Sequence, residues 1–418
     1  MRFAGCTIVF IPDRAGHLAA NISQRPFGSE ILAFLAQAEL DTDFTQLVHF
    51  VAQTRGMSPD ELAPQLHHIV EMRLQTGAFV DISRIALAHL DLSLTNACNA
   101  TCIYCPTPRL ASSPQHILSL PQVRLLADQL SEARFVERFG RLSQIEIGGF
   151  GEPLLHPQAL DILSLLRRRQ LADQLTLYTN AALLDRQCVQ RLLAESSIDT
   201  LVVSIDGLDD SAHQTSKGLA YHTVESHILD FLTQRDQVGS PIRLYLNTLP
   251  AAAYRACVEQ QLGRPPLGFA NTEASTNRAG DWTALLAAGR EHVESVRSRW
   301  EPRLRDGDSI HSGLEPTGFQ LRGEYEPGHV QADGEAYACP WPHYVTHGIF
   351  LGANGDWHIC CNDFHGEGVL GNVFRQSVFE IATTARQRFV EDLLADRRAS
   401  LPARCGRFRG YCRFLGAR

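Results

Sequence analysis

The sequence predicts an α/β protein whose central part is a series of parallel strands joined by helices. Three observations lead there. Five short strand-like runs recur between about Leu87 and Trp300: "LDLSLTN", "SQIEIGG", "QLTLYTN", "TLVVSID" and "IRLYLNT". Between them lie stretches with apolar residues at helical spacing: "LPQVRLLADQLSEARFVERF", "DRQCVQRLLAES" and "YHTVESHILDFLTQR", the last with Tyr221, Val224, Ile228 and Leu232 on one face. Repeated strand–helix units imply parallel strands and right-handed crossovers, and such folds bind ligands at the carboxyl ends of their strands.

Two regions flank this one. In residues 1–85, "CTIVFIPD" and "GHLAANIS" read as short strands around a turn. "GSEILAFLAQAEL" and "DFTQLVHFVAQ" follow with helical spacing, and a third helix starts at Ser58-Pro59-Asp60-Glu61, where Ser58 is a good N-cap and Pro59 suits the first helical position. Its stripe is Leu62, Leu66, Ile69 and Val70, and Pro64 inside it predicts a kink or a delayed start. Two strands and three helices suggest a small winged helix-turn-helix unit. From 301 to 418 the alternation is lost, and the chain is rich in Gly, Pro and aromatics and carries Cys339, Cys360, Cys361, Cys405 and Cys412. A loop-rich region of that kind often needs a metal to fold.

Composition narrows the classes. The chain has 418 residues, 44% hydrophobic and 20% charged, with a net charge of -8. That is an ordered globular chain with room for more than one core. It has no long basic run, which argues against a nucleic-acid partner. No run of about 18 apolar residues exists, and the apolar start Cys6–Ile11 is too short for a signal peptide, so a cytoplasmic protein with no membrane partner is expected. Clustered cysteines in that compartment are metal ligands or catalytic thiols more often than disulfides.

Cys98, Cys102 and Cys105 follow the first central strand, in "SLTNACNATCIYCPTPR". Three thiolates on one short loop can hold an iron–sulfur cluster with one iron left open. The alternative is a zinc loop, but no His lies between Cys98 and Cys105, and His116 is distant. The spacing, with an aromatic residue before the last cysteine, resembles the radical S-adenosylmethionine (SAM) superfamily. That resemblance implies a partial (β/α)6 TIM-like barrel, a [4Fe–4S] cluster and SAM bound at its open iron.

Further strand ends agree. "GGFGEPLLHP" follows the second strand and resembles the family's turn for the amino group of SAM, which points to Gly149, Gly151, Glu152 and Pro153; Phe150 between the glycines leaves open which of them meets SAM. Thr179 and Asn180 end the third strand, and Ser204, Asp206 and Gly207 end the fourth, where the family has polar residues, some of them in contact with SAM. Lys217 stands where many relatives carry an arginine for the SAM carboxylate, and Asn247 is a further candidate. For each polar residue alone, a turn or cap role is the plain alternative.

In the last region, Cys339, Gly355 and Cys360 of "ACPWPHYVTHGIFLGANGDWHICC", followed by "LGNVFRQSVFEI", resemble the SPASM module, which holds auxiliary iron–sulfur clusters. With only Cys405 and Cys412 left, the shortened "twitch" form is implied: one auxiliary cluster, of the [4Fe–4S] type, on Cys339, Cys360, Cys405 and Cys412. Cys361 is an alternative ligand or, unligated, a hydrogen-atom donor; a zinc knob is the alternative for the set. Cys6, Cys188 and Cys257 read as small buried hydrophobes.

Taken together, the resemblance implies SAM cleavage to a 5'-deoxyadenosyl radical, hydrogen-atom abstraction from a substrate, and an auxiliary cluster able to take an electron back. A reductant such as flavodoxin or ferredoxin is implied as a partner. The order of elements in residues 1–85 resembles the leader-recognition domain of peptide-modifying enzymes, so the expected substrate is a ribosomally made precursor peptide, modified by crosslinking, oxidation or epimerisation. The alternatives are a dehydrogenase or epimerase of an aminosugar-like metabolite, and a non-enzymatic zinc or DNA-binding protein.

Overall fold

The computed structural model describes residues 2–3, 6–10, 27–37, 42–75, 79–81, 85–102, 105, 107, 114–195, 197–249, 283–312, 314–315, 318–319, 342–361, 363, 366–394 and 400–402. The chain forms two compact units, one of Met1–Ala86, Trp341–His347 and Glu380–Pro402, the other of Leu87–Pro340, Gly348–Phe379 and Ala403–Arg418.

In the first unit, β1 (Arg2–Phe3), β2 (Cys6–Phe10) and β3 (Phe79–Asp81) make an antiparallel sheet in that order. β3 was not foreseen, and the run "GHLAANIS" lies outside the described residues. Three helices follow β2: Gly28–Gln37, Phe44–Arg55 and Pro59–Gln75. The second starts at Asp43, whose carboxylate accepts from the Gln46 N–H while the Gln46 amide accepts from the Asp43 N–H, and it stops at Gly56 in left-handed conformation. The third starts at Pro59 and includes Pro64, so the expected delay does not occur. Leu62, Leu66 and Val70 from its stripe join Phe3, Ile31, Phe34, Leu47, Val48 and Val51 in one buried core.

The second unit is built on a nine-stranded sheet. β4 (His89–Leu92), β5 (Leu142–Ile147), β6 (Ala172–Thr179), β7 (Thr200–Ser204), β8 (Arg243–Thr248) and β9 (Ser309–Ser312) pair in parallel, in sequence order. This is the six-stranded parallel sheet of a partial barrel. Five of its strands are those read from the sequence; β9 lies beyond the boundary expected at residue 300. β10 (Leu314–Glu315) and β11 (Gly318–Phe319) form a separate two-stranded ribbon. On the other side of β4 the sheet continues through β12 (Gly348–Leu351), parallel to β4, then β13 (Asp356–His358) and β14 (Val369–Asn372), both antiparallel to their neighbours. The last region, expected to be loop-rich, therefore also supplies three strands to the central sheet.

The helices over the sheet follow from their apolar faces. In Ala159–Arg169, Ala159, Ile162, Leu163, Leu165 and Leu166 are buried; in Tyr221–Val238 the predicted face of Tyr221, Val224, Ile228 and Leu232 is buried. The single helix expected over "LPQVRLLADQLSEARFVERF" is two, Leu120–Leu130 and Ala133–Phe139. The first is capped by Ser131, still in helical conformation, and Glu132 (φ −59°, ψ 135°) turns the backbone out of the helix before the second begins. Arg235 and Asp308 form a fully buried ion pair at 2.8 Å, and Asp308 also accepts from the Leu244 N–H at 2.7 Å, which fixes the approach to β9 on the start of β8. Among the described residues no helix is long and apolar enough to cross a membrane.

Candidate active site

Cys98, Cys102 and Cys105 lie on the loop that leaves the carboxyl end of β4, each half-buried. The loop is held by its own backbone and by neighbours. The Ala100 N–H donates to Cys98 Sγ (3.4 Å), the Cys105 N–H to the Cys102 carbonyl (3.1 Å) and the Thr101 N–H to the Lys217 carbonyl (2.8 Å). Burial pushes the Cys98 thiol up to about 11 and the Cys102 thiol up to about 12, with the Lys217 charge drawing both back down. Among the described residues no three His, Cys, Asp or Glu side chains converge to hold a single metal ion. Three soft thiol donors on one pinned loop fit an iron–sulfur cluster, which takes thiolate ligands.

The "GGFGEP" turn packs directly on this loop. Gly149 has φ +75°, and a Cβ there would lie 2.2 Å from Ser93 Oγ. At Gly151 a Cβ would lie 2.2 Å from the Thr95 carbonyl oxygen and 2.6 Å from that of Ala97. Both glycines are thus required by the close approach of turn to loop. The Ser93 hydroxyl accepts from the Phe150 N–H (3.0 Å), and the Glu152 N–H donates to the Ala97 carbonyl (2.9 Å).

Glu152 is 2% exposed. One oxygen accepts from the Thr179 hydroxyl (2.7 Å) and the Leu154 N–H (3.1 Å), and the other from the Asn180 N–H (2.8 Å). Burial holds its carboxyl above the usual carboxylate range, opposed by those donors. Its carboxylate therefore ties the ends of β5 and β6 together. Asn180 continues the tie, its amide donating to Asn99 Oδ1 inside the cysteine loop at 2.8 Å. The next residue, Ala181, sits at φ +59°, a left-handed backbone costing about 1–2 kcal/mol for a non-glycine, held by an N–H bond to Thr179 Oγ1.

On the far side, Asp206 and Lys217 are both buried, Lys217 Nζ 3.3 Å from Asp206 Oδ2, while Asp206 Oδ1 accepts from the Leu249 N–H just beyond β8. Ser204 ends β7 and Asn247 lies in β8, its carbonyl accepting from the Ile205 N–H (2.8 Å). The predicted residues of β4 to β8 thus meet at one end of the sheet. Sequence reasoning missed Ser93, Asn99 and Thr101, which do the joining; the only signal was their position beside the cysteines and strand ends.

Cys360 and Cys361 lie on the turn after β13. Asp363, fully buried, closes that turn by accepting from the Glu367 and Gly368 N–H groups, both at 3.0 Å, and faces His358 Nδ1 at 3.3 Å. The His358 ring in turn meets Phe150 edge-on, centroids 4.9 Å apart. The residue that interrupts the glycine turn is therefore the contact between that turn and the strand leading to Cys360. Cys339, Cys405 and Cys412 lie outside the described residues.

Comparison with known proteins agrees with this geometry. Residues 92–227 match the family model of the radical SAM superfamily, and residues 339–407 match that of SPASM, an iron–sulfur cluster-binding domain. The chain is 28% identical over 156 residues to the tungsten-containing aldehyde ferredoxin oxidoreductase cofactor-modifying protein of Pyrococcus furiosus, covering 37% of this chain and 41% of that one. It is 29% identical over 122 residues to the GTP 3',8-cyclase of Photorhabdus laumondii, covering 29% and 34%. The chain thus spans less than half the length of these two curated relatives. Among solved structures, Streptococcus suis SuiB bound to precursor peptide SuiA aligns over 90% of this chain and 79% of its own, with 15% identity and a TM-score of 0.45.

Proposed function

The chain carries a radical SAM domain and a SPASM domain, and from that premise we propose that it abstracts a hydrogen atom from a ribosomally made precursor peptide and leaves that peptide crosslinked, oxidised or epimerised. The observation that carries the radical part is the cysteine loop pinned by the glycine turn at one strand end. When bound, the cluster and SAM supply one-electron cleavage of SAM and hydrogen-atom abstraction. This chain's own residues orient them. Gly149 and Gly151 let the turn seat against the loop, Glu152 and Asn180 lock loop and turn to β6, and Lys217 holds Thr101 from the opposite side.

The peptide part draws support from the first unit, where a small antiparallel sheet lies with three helices in one fold, the kind of sheet edge that accepts an added peptide strand. Cys339, Cys360, Cys405 and Cys412 are proposed as ligands of the auxiliary cluster, Cys361 as an alternative ligand or a hydrogen-atom donor, and a flavodoxin or ferredoxin as the electron source. The test is anaerobic reconstitution with iron and sulfide, then reaction with SAM, a reductant and a synthetic peptide made from any short leader–core reading frame found beside the gene. The expected result is 5'-deoxyadenosine whose formation rises with peptide, and a peptide changed in mass by loss of two hydrogens, or unchanged in mass with an inverted centre. Zinc in place of iron, or no 5'-deoxyadenosine, refutes the radical reading. 5'-Deoxyadenosine formed with no change in any peptide refutes the peptide reading alone.

A further inference from the structure

Phe150 is fastened to the cysteine loop at both ends of its peptide unit. Its N–H donates to Ser93 Oγ at 3.0 Å, and its carbonyl accepts from the hydroxyl of Thr107, two residues past Cys105, at 3.1 Å. The ring carries the contact outward. It meets the His358 ring edge to face, centroids 4.9 Å apart at 75°, an arrangement that attracts beyond the area it buries. His358 is 7% exposed and boxed in: its Nδ1 lies 3.3 Å from Asp363 Oδ2, and a Cβ on Gly352 would lie 2.9 Å from its Nε2. Asp363 holds the turn that bears Cys360. Its two oxygens accept from the Glu367 and Gly368 N–H groups, both at 3.0 Å, and its own N–H donates to the Cys360 carbonyl at 3.1 Å. The Ile359 N–H, between His358 and Cys360, donates to the Gly368 carbonyl at 3.0 Å. Thr107, Phe150, His358 and Asp363 thus form one line of bonds and ring contact from the loop of Cys105 to the turn of Cys360. Packed interiors do not deform continuously, so a shift at one end of such a line is passed along it.

We propose that Phe150 and His358 are positioning residues that couple the glycine turn to the turn of Cys360, so that SAM seated at the first tightens the second. The inference rests on the radical reading of the cysteine loop. SAM held beside Gly149, Gly151 and Glu152 restricts the turn that carries Phe150. The ring contact hands that restriction to His358, and Asp363 hands it to the Glu367 and Gly368 amides. The second cysteine region thereby registers that SAM is in place. The residue inserted between the glycines is what makes this contact, so its purpose lies toward His358 and not toward the loop it is bound to.

The test follows amide hydrogen exchange in the full-length, anaerobically reconstituted protein with and without saturating SAM, beside a SAM-binding titration. In the wild type, SAM is expected to slow exchange at the Glu367 and Gly368 amides about fivefold, the low end of usual coupling between sites. Phe150→Ala and His358→Ala are each expected to remove that slowing while SAM still protects the Glu152 amide, and Phe150→Tyr, which keeps the ring, is expected to retain it. A merely structural contact would instead speed exchange at these amides equally with and without SAM, and that result overturns the proposal. So does an unmoved Glu367–Gly368 segment in SAM-bound wild type, or a slowing that survives both alanine variants. If Phe150→Ala binds no SAM, His358→Ala decides alone, because its change lies off the SAM turn. A wild-type protein that loads no iron or binds no SAM removes the radical reading itself, a failure distinct from SAM bound with the turn unmoved.

Discussion

Gly151→Ala puts the contact between turn and cysteine loop to the sharpest test. The added Cβ would lie 2.2 Å from the Thr95 carbonyl oxygen and 2.6 Å from that of Ala97. Both obstacles are backbone, so no side chain can swing away. Reaching even 3.0 Å from the nearer one takes a retreat of about 0.8 Å. Overpacking of this kind costs about 1–3 kcal/mol. The same retreat strains the 2.9 Å bond from the Glu152 N–H to the Ala97 carbonyl, and a lost backbone bond adds about 0.5–1.5 kcal/mol. For catalysis the displacement matters more, since misplacing a reacting group by about 1 Å costs on the order of 100-fold. The assay is 5'-deoxyadenosine formation per iron loaded, with a thermal melt beside it. Gly239→Ala is the control: it also has positive φ (+65°) but nothing within 4 Å of the new Cβ, so it should cost about 1 kcal/mol and no turnover. Gly151→Ala indistinguishable from Gly239→Ala in both measurements would refute the argument that the turn is seated by backbone contact.

Three further outcomes are expected. Glu152→Gln places an amide NH₂ where the carboxylate now accepts from two N–H groups and a hydroxyl, leaving at least one buried donor unpartnered; about 1–3 kcal/mol should be lost, seen as a lower melting temperature and poorer iron retention. Asp308→Ala takes one of two carboxylates from the buried Arg235 guanidinium, leaving Asp236 on its Nε at 3.0 Å, and a urea titration should show about 1.5–3 kcal/mol of lost stability. Because the Cys98 and Cys102 thiols lie near 11 and 12 before iron binds, both are protonated at neutral pH; their thiolate fractions grow about tenfold per pH unit, so cluster assembly should release protons, counted with an indicator dye, and should accelerate from pH 7 to pH 9.

What could be read in the sequence was what is local. The strands β4 to β8 announce themselves by short apolar runs ending in Gly, Asn or Asp, and the cysteine spacing and the glycine turn sit within a few residues of those ends. The polar residues there were legible as a set but not in their roles: nothing local shows that both Glu152 oxygens are taken by β6, or that Asn180 reaches back 81 residues to Asn99. β3 and β9 were missed because "FVD" and "SIHS" are too short to show a period, and each forms by pairing with a distant strand. The break was missed because the apolar spacing continues across it, while the backbone leaves the helical region at the single residue Glu132.

The pairing of β12 with β4 also bears on how the protein is made. β4, the strand that delivers the cysteine loop, has β5 on one side and β12 on the other, and the Ser93 N–H, one residue past β4, donates to the Leu351 carbonyl. During synthesis β5 arrives soon after β4, but Gly348–Leu351 leaves the ribosome some 250 residues later. Until then the strand beneath the cysteines is an open sheet edge, able to pair with the wrong partner. Loop closure over that span is slow compared with local pairing. The cysteine loop therefore reaches its final setting late; on the proposed reading of that loop as a cluster site, iron is expected to load after translation, and a nascent chain stalled before Gly348 would present its cysteines on an unprotected edge.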